Sequence, residues 1–284
     1  MDDLLPLIDS LPTLRETVET HGLMAKKSLG QNFLLDRNIT DKIIRLSLEK
    51  QNLSSFQNAK VFEIGPGPGG LTRSVLRANP DSLTVIEMDE RCIKIMQEIK
   101  SLVGNRLDII NNDAMKIDFS LADNKPQHIV SNLPYNISVP LLTGWLWNIK
   151  NFSSLTLMFQ KEVADRICAS TGNKDYGRIS VFAQLLCKIE KLFDLNPNCF
   201  VPAPKIWSSV LLFIPLEQNI PASELKKVEK LTSLAFSQRR KMVRQSLKSI
   251  PEIEHKLESI GLSGTLRAEQ ITPQQYLQLA QLIG

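Results

Sequence analysis

Three glycines, Gly65, Gly67 and Gly70, follow directly on the apolar segment 60–64. A glycine takes positive φ angles easily and lets the backbone approach a ligand closely, because it has no Cβ atom. A helix beginning near residue 69 would also point its first free N–H groups at that ligand. The spacing therefore predicts a strand, a ligand-binding turn and a helix, in that order. Residues 65–70 are called the glycine turn below.

Acidic side chains lie near the ends of this strand and of the next two apolar segments. Glu63 precedes the first glycine, Glu87 ends the segment 83–87, and Asp113 follows the segment 107–110. An acid at the position of Glu87 can accept hydrogen bonds from both hydroxyls of a ribose. Asp113 is placed to accept from an adenine amino group, although an Asp in a turn or helix cap is the alternative. The acids and the glycine turn together predict an adenosine-type cofactor.

The glycine turn does not by itself choose between NAD and S-adenosylmethionine. Gly65, Gly67 and Gly70 also satisfy the Gly-x-Gly-x-x-Gly dinucleotide fingerprint, which is weak when it stands alone. Glu63 favours S-adenosylmethionine, because a carboxylate suits a cationic amino-acid end and would repel a pyrophosphate. An NAD-dependent oxidoreductase stays open as an alternative, and titration with the two cofactors would separate the two functions.

The segment Asn132-Leu133-Pro134-Tyr135 follows another predicted strand, 127–131. The exocyclic amine of adenine is a poor nucleophile, because its lone pair is delocalised into the ring. The side-chain oxygen of Asn132 and the backbone carbonyl of Leu133 could accept the two amine hydrogens and free that lone pair. Pro134 stiffens the loop by fixing φ, and the ring of Tyr135 can stack on a base. An ordinary Asn-x-Pro turn is the alternative, but the order of the motifs favours the chemical interpretation.

Strand-like and helix-like segments alternate from residue 60 onward, which predicts a mostly parallel α/β sheet covered on both faces. Helices are predicted at 69–78 and 89–100. After Pro215 only helical patterns remain, so we expect a small all-α domain beyond a boundary near 215–222. The seven predicted strands are 60–64, 83–87, 107–110, 127–131, 155–159, 185–189 and 208–214.

Composition excludes several classes of protein. The chain has 284 residues, of which 43% are hydrophobic, so it can bury a core. Its apolar runs are too short for a membrane helix, and its N-terminus has no basic region before an apolar one, as a secretory signal would. The cysteines form no C-x-x-C pair and the three histidines lie far apart, which disfavours a metal site. We expect a soluble, cytoplasmic protein without a metal.

Basic residues are concentrated between positions 239 and 248, where no acid occurs, although the net charge of the chain is only +4. In a helix, Arg240, Arg244 and Lys248 would form one stripe, because they repeat every four residues. A solvated helix face usually mixes acids with bases, so this pattern favours binding to phosphates. This basic cluster comprises Arg239, Arg240, Lys241, Arg244 and Lys248.

These motifs resemble, in order, those of the rRNA adenine N6,N6-dimethyltransferase family. The resemblance implies a Rossmann-like class I methyltransferase fold and S-adenosylmethionine as the cofactor. It also implies an N-terminal leader, a methyltransferase domain and a helical RNA-binding domain at 1–25, 26–215 and 216–284. The matching segments are 27–34, 63–67, 87–89, 132–138, 160–164, 176–178, 200–205 and 236–241.

The resemblance also implies roles for single residues. Asn132 would bound the cofactor and hold the target amine, and Phe200 would stack on the flipped base opposite Tyr135. A core phenylalanine beside a proline-rich turn is the alternative for Phe200. The residues expected to contact the cofactor are Asn32, Leu34, Gly65, Gly67, Glu87, Asp113 and Asn132.

The implied substrate is a pair of adjacent adenosines in the 3′-terminal hairpin of 16S rRNA, within a pre-30S subunit and acted on by a monomer. One alternative is a 23S rRNA adenine methyltransferase of the macrolide-resistance type. The helical region after residue 215 and the segment 236–241 favour the small-subunit enzyme over it. Another is a non-catalytic assembly protein, which the intact segment 132–135 and the presence of Glu87 disfavour.

Overall fold

The computed structural model of the chain describes residues 4–23, 31–119 and 124–283. They form two compact units, of which the first comprises residues up to Lys161 together with Glu190–Ile214. The second comprises Glu162–Ile189 and the chain from Pro215 onward. The division therefore differs from a single boundary near 215–222, because a helix within Glu162–Ile189 packs on two of the C-terminal helices.

Short strands alternate with helices through the first 215 residues, as the apolar pattern predicts. The strands are β1 (Phe33–Leu34), β2 (Lys60–Ile64), β3 (Ser82–Glu87), β4 (Leu107–Asn111), β5 (Gln127–Ser131), β6 (Ser154–Gln160), β7 (Cys187–Leu195), β8 (Phe200–Val201) and β9 (Ser208–Pro215).

Seven of these strands form one sheet in the order β4-β3-β2-β5-β6-β9-β7. Strands β2 to β6 pair in parallel, whereas β9 runs antiparallel to β6 with Leu155 opposite Phe213. The predicted mostly parallel, seven-stranded sheet is confirmed. A separate two-stranded ribbon pairs β1 with β8, with Leu34 opposite Phe200.

Helices cover the sheet and make up the C-terminal region. None of them, in the described ranges, is long and apolar enough to cross a membrane. They are α1 (Leu4–Asp9), α2 (Leu14–Thr20), α3 (Arg37–Lys50), α4 (Gly70–Arg77), α5 (Glu90–Val103), α6 (Tyr135–Trp147), α7 (Lys161–Cys168), α8 (Arg178–Leu186), α9 (Ala222–Ser237), α10 (Val243–Ser246), α11 (Ile253–Ser259) and α12 (Pro273–Gln281).

The predicted strand at 185–189 is wrong in its position. Leu185 and Leu186 form the last turn of α8, and the strand begins at Cys187 and continues to Leu195. Both leucines are buried in the helix. A short apolar run is equally consistent with a buried helix end and a buried strand, so the pattern could not separate them. The other predicted strands agree with the structure to within one residue at each end.

A continuous helix through the basic cluster is also wrong. Helix α9 ends at Ser237, and α10 spans only the four residues Val243–Ser246. Between them, Met242 forms a β-bridge with Arg267, and the Val243 N–H donates to the Leu266 carbonyl at 2.7 Å. This extended pairing interrupts the helix. The basic cluster is therefore spread over a turn and the short helix α10, and its side chains do not form one stripe along a helix.

An aromatic cluster lies in the core of the second unit. Tyr176 and Tyr276 are fully buried, and their hydroxyls donate to the carbonyls of Ile271 at 3.0 Å and Ala268 at 2.9 Å. The ring of Phe236 lies 6.1 Å from each tyrosine ring. Because every buried hydroxyl here has an acceptor, the cluster joins three helical segments without an unpaired polar group.

The N-terminal leader packs against α4 of the first unit. Arg73 donates from one guanidinium nitrogen to the Pro12 carbonyl and from another to the Thr17 hydroxyl. Arg77 pairs with Asp9 at 3.0 Å. These contacts hold residues 9–17 of the leader against α4, the helix that begins in the glycine turn.

Candidate active site

The carboxyl ends of four parallel strands meet at one edge of the sheet in the first unit. The sheet order reverses between β2 and β5, and ligands of such folds bind outside the strand ends at this reversal. A cavity of about 280 Å³ lies there. It is lined by Asn32, Leu34, Gly65, Gly67, Glu87, Asp113, Asn132, Leu133, Pro134 and Tyr135, among others.

All the predicted cofactor contacts thus lie around one cavity, together with the segment 132–135. They come from the end of β3, from the loops after β2, β4 and β5, and from β1 and the residue before it. Residues 27–30, the start of the first matching segment, lie outside the described residues.

The ribbon strand β1 packs directly on the glycine turn. At Gly67, where φ is +55°, an added Cβ atom would lie 2.9 Å from the ring of Phe33. At Gly70 it would lie 2.8 Å from the Leu34 carbonyl oxygen. Any side chain at these positions would therefore displace β1, which carries one wall of the cavity. The two glycines therefore permit this close approach of β1.

Glu63 supplies a buried carboxyl to the cavity wall. It accepts a hydrogen bond from the Thr72 hydroxyl at 2.7 Å. Burial raises the pKa of the Glu63 carboxyl to about 8, with a smaller contribution from the nearby charge of Glu87. A cation bound beside Glu63 would stabilise its carboxylate form, whereas a bound pyrophosphate would oppose its ionisation and keep the buried carboxyl protonated. The site therefore fits the cationic amino-acid end of S-adenosylmethionine.

The backbone holds Glu87 in a fixed orientation at the end of β3. Its Oε1 atom accepts from the N–H groups of Met88 and Asp89, each at 2.8 Å. Burial is the main cause that raises the pKa of this carboxyl. Asp113 caps a short 3-10 turn by accepting from the Met115 N–H at 3.0 Å, and it also lines the cavity. The capping interpretation of Asp113 and its place in the cavity are therefore compatible.

A hydrogen bond orients the side-chain amide of Asn132. Its Nδ2 atom donates to the backbone carbonyl of Asn32 at 3.1 Å. The opposite orientation would set two oxygens against each other, so the bond decides which end of the amide faces Asn32. The Oδ1 atom, an acceptor, is then the end available to a ligand in the cavity. A Cβ atom at Gly65 would lie only 3.8 Å from the ring of Pro134, so the two motifs are neighbours.

Tyr135 is held rigidly at the start of α6. Its hydroxyl forms a 2.6 Å hydrogen bond with the Ser208 hydroxyl on β9, and burial raises the pKa of the phenol. Pro134, with φ at −56°, is the N-cap of the helix. With both ends anchored, the ring keeps one orientation in the cavity wall, as a stacking surface requires.

The structure does not bring Phe200 to the cavity. Only 2% of its surface is exposed, and its side chain belongs to the hydrophobic core of the first unit. Pairing of β8 with β1 sets this orientation, because side chains alternate across a strand. Val201, the next residue, accordingly faces out with 51% exposure. Of the two interpretations of Phe200, this placement matches the core phenylalanine and not the stacking partner of Tyr135.

Two methionines in the cavity wall are absent from the sequence-based predictions. Met88 and Met115 are half-exposed and line the cavity. Methionine offers a flexible, polarisable surface that suits a flat ring. Met88 directly follows Glu87, and Met115 lies two residues after Asp113. Their closeness in sequence to Glu87 and Asp113 could have predicted that they line the cavity, because the loops after parallel strands lie at the same edge of the sheet.

The members of the basic cluster, in the second unit, have different environments. Arg239 is half-buried and pairs with Glu269 at 2.8 Å. Its guanidinium also donates to the Asn173 carbonyl at 3.4 Å. Arg239 thus neutralises an internal acid that lies far away in sequence. The exposed members are Arg240, Lys241, Arg244 and Lys248.

Comparison with known proteins identifies the family. A family model described as "Ribosomal RNA adenine dimethylase" matches residues 22–284. A protein of Rhodospirillum rubrum named "Ribosomal RNA small subunit methyltransferase A" is 44% identical over 275 residues, which cover 97% of this chain and 93% of that protein. A protein of Xanthobacter autotrophicus with the same name is 45% identical over 282 residues, covering 96% and 94%.

A solved structure supports the same assignment. It is a dimethyladenosine transferase from Plasmodium falciparum, which is 25% identical, superposes with a TM-score of 0.72 and covers 86% of this chain and 94% of its own. The predicted α/β methyltransferase fold is confirmed. From the match over nearly its whole length, the chain belongs to the ribosomal RNA adenine dimethylase family.

Proposed function

We propose that the protein uses S-adenosylmethionine to dimethylate the N6 amines of two adjacent adenosines in the 3′-terminal hairpin loop of 16S rRNA. Relatives at 44–45% identity, matched over nearly their full length, carry the name of a small-subunit rRNA methyltransferase. The observation that carries the chemistry is the convergence of Glu63, Glu87 and the oriented Asn132 amide on one cavity.

The cofactor is held, in this proposal, by the acids at the strand ends. When bound, S-adenosylmethionine supplies an electrophilic methyl group. Glu63 pairs with its cationic amino-acid end, Glu87 accepts from the ribose hydroxyls, and Asp113 accepts from the adenine amine. The depth at which Glu63 is buried supports this assignment, because an unpaired carboxylate there would be costly.

Asn132 and Leu133 act on the target amine. Asn132 Oδ1 and the Leu133 carbonyl accept the two amine hydrogens, and the ring of Tyr135 stacks on the flipped base. Catalysis is then mostly positioning and exclusion of water. The alkylated amine is acidic enough to lose its proton to water, so no protein base is required. Dimethylation needs the monomethylated amine to rotate beside Asn132.

The alternatives are less well supported. The small-subunit name shared by the relatives disfavours a 23S rRNA enzyme of the macrolide-resistance type. Glu63 beside the glycine turn disfavours NAD. A non-catalytic assembly protein would not need an acceptor held as Asn132 is held.

The proposed partner is 16S rRNA within an assembling pre-30S subunit, which places the protein in the cytoplasm with a role in small-subunit biogenesis. We also propose that it acts as a monomer, because one compact unit of a single chain supplies the walls of the described cavity. Light scattering at working concentration measures the molar mass in solution, which should equal that of one chain.

The function is tested on rRNA that lacks the modification. Purified small and large subunits are incubated separately with the protein and isotopically labelled S-adenosylmethionine, and their rRNA is digested and analysed by mass spectrometry. We expect two adjacent dimethyladenosines in the small-subunit RNA and no label in the large-subunit RNA. Label confined to large-subunit RNA, or no transfer to either, would contradict the proposal.

The exposed members of the basic cluster contact the RNA backbone in this proposal. Replacing Arg240, Arg244 and Lys248 together with alanine should weaken RNA binding at low salt. Each lost phosphate contact removes about 0.7–0.9 from the slope of log K against log salt, so the slope should flatten by about 2–3. Binding titrations at several salt concentrations measure this slope.

A charge-matched control separates local contacts from net charge. Lys174, Lys226 and Lys230 are exposed residues of the same unit. Replacing these three with alanine removes the same charge and should leave the slope near its original value. Equal flattening by both triple variants would show that the basic cluster has no special role.

A further inference from the structure

Trp207 is an exposed aromatic residue in the loop between β8 and β9. Its exposed fraction is 47%, and its neighbour Ile206 is 37% exposed. Val201, the last residue of β8 before this loop, is also exposed. Single exposed apolar residues are common, but here three occur within seven positions. This surface requires an explanation beyond the packing of the unit.

The backbone around Trp207 is anchored and lies close to Tyr135. The Trp207 carbonyl accepts from the Lys161 N–H at 2.8 Å. The next residue, Ser208, starts β9 and is bonded through its hydroxyl to the Tyr135 hydroxyl at 2.6 Å. Trp207 is therefore connected through one residue to the aromatic ring assigned to the reacting base.

Trp207 itself does not line the cavity, although Tyr135 does. A base inside the cavity would thus contact Tyr135, while a base on Trp207 would lie outside it. Phe200, the other aromatic considered for stacking, is buried. Trp207 is therefore an exposed aromatic residue that directly precedes Ser208, the hydrogen-bond partner of Tyr135.

The charge beside Trp207 favours a nucleic-acid strand over an apolar partner. Lys205 is exposed two residues away and, within the described part of the chain, pairs with no carboxylate. An aromatic face next to an unpaired cation is the combination that binds single-stranded nucleic acid, because the ring stacks on a base and the cation attracts a phosphate. Stacking tolerates any base, so Trp207 would help to position the RNA strand without selecting its nucleotide sequence.

We propose that Trp207 stacks on the unpaired base that neighbours the reacting adenosine in the RNA strand, with Lys205 near its phosphate. The inference rests on the proposed function and names a further contact of that site with its substrate. Such a contact keeps the neighbouring base unpaired while the reacting base occupies the cavity. Trp207 is a positioning residue, since it does not touch the reacting atoms.

The test compares Trp207→Ala, Trp207→Leu and Trp207→Phe. Loss of one base-stacking contact should lower kcat/KM for the RNA roughly ten-fold in the alanine and leucine variants. The phenylalanine variant keeps an aromatic face and should recover most of the loss. Cofactor affinity, measured by calorimetry, should be unchanged in all three, because Trp207 lies outside the cavity. Equal activity of the leucine and phenylalanine variants would overturn the stacking role.

A second measurement uses RNA that lacks one base beside the target adenosine. This abasic substrate should lower kcat/KM of the wild type to that of Trp207→Ala, and should have little further effect on the variant. Binding of the intact RNA should also quench the fluorescence of Trp207. In Trp207→Phe the remaining fluorescence comes from Trp145 and Trp147, and RNA binding should not quench it. Additive losses, or quenching that persists in Trp207→Phe, would contradict the inference. Failure of the wild type to methylate RNA would contradict the proposed function instead.

Discussion

Asn132→Ala is expected to lower the rate of methyl transfer by roughly 10²–10³-fold while S-adenosylmethionine still binds. The estimate is the usual loss when one fixed hydrogen-bonding group is removed from a reacting centre. The structure orients the amide through its bond to the Asn32 carbonyl, so its oxygen is prepared to accept from the amine before substrate arrives. Single-turnover kinetics with saturating RNA and cofactor measure the rate, and calorimetry measures binding.

Two further variants make this result specific to the acceptor. Asn132→Asp keeps an acceptor oxygen but loses the N–H that holds the Asn32 carbonyl, and its rate should lie between those of wild type and alanine. Asn105→Ala changes an exposed asparagine in the turn Gly104–Arg106 and should have no effect. If Asn132→Ala methylates within a few-fold of the wild-type rate, Asn132 does not activate the amine.

Cofactor binding is expected to release about one proton near pH 7, and Glu63→Gln is expected to release none. Burial holds the pKa of Glu63 near 8, so the carboxyl is mostly protonated before a cation arrives. Pairing with the cationic end of the cofactor stabilises the carboxylate and expels the proton. Calorimetry in two buffers with different ionisation enthalpies counts the protons released. Affinity of the wild type should rise with pH up to about 8.

The same carboxyl makes the stability of the protein depend on pH. Its folded pKa lies above its ordinary value of 4.5, so between these limits the folded state binds more protons than the unfolded state. The unfolding free energy of the wild type, relative to Glu63→Gln, should therefore fall as pH rises from 4.5 to about 8. The slope is at most about 1.4 kcal/mol per pH unit.

Denaturant titrations of the ligand-free protein at several pH values check this dependence. Glu19→Gln, a change at an exposed residue of α2, serves as the control and should follow the wild type. Parallel curves for wild type and Glu63→Gln would show that the Glu63 carboxyl is ionised in the folded protein. In that case binding of the cofactor would release no proton either.

Much of the cavity could be predicted from the order of short motifs. Parallel strands bring their carboxyl ends to one edge, so residues that follow successive strands, such as Glu87 and Asn132, become neighbours whatever lies between them. The glycine turn and its spacing from Glu87 carried this information locally. The roles of these residues in catalysis stay predictions until the variants are measured.

Other features depended on contacts between distant segments. The acid that pairs with Arg239 is Glu269, 30 residues away in the sequence. The segment 239–248 contains no acid, so its sequence could not show that one of its positive charges is neutralised. The extended backbone at Met242 likewise depends on its bridge to Arg267. Neither partner can be identified from the local pattern.

The sequence by itself determined the mostly parallel sheet, the edge of that sheet at which the ligand site lies, and the residues around the cavity. Strand periodicity and the order of the motifs can be read directly along the chain, without knowledge of contacts between distant segments. Only the tertiary structure decided that Phe200 faces the core, since pairing of β8 with β1 sets which of the β8 side chains points inward, and that Trp207 is exposed in the loop before β9. It also decided the orientation of the Asn132 amide, which depends on a carbonyl 100 residues away.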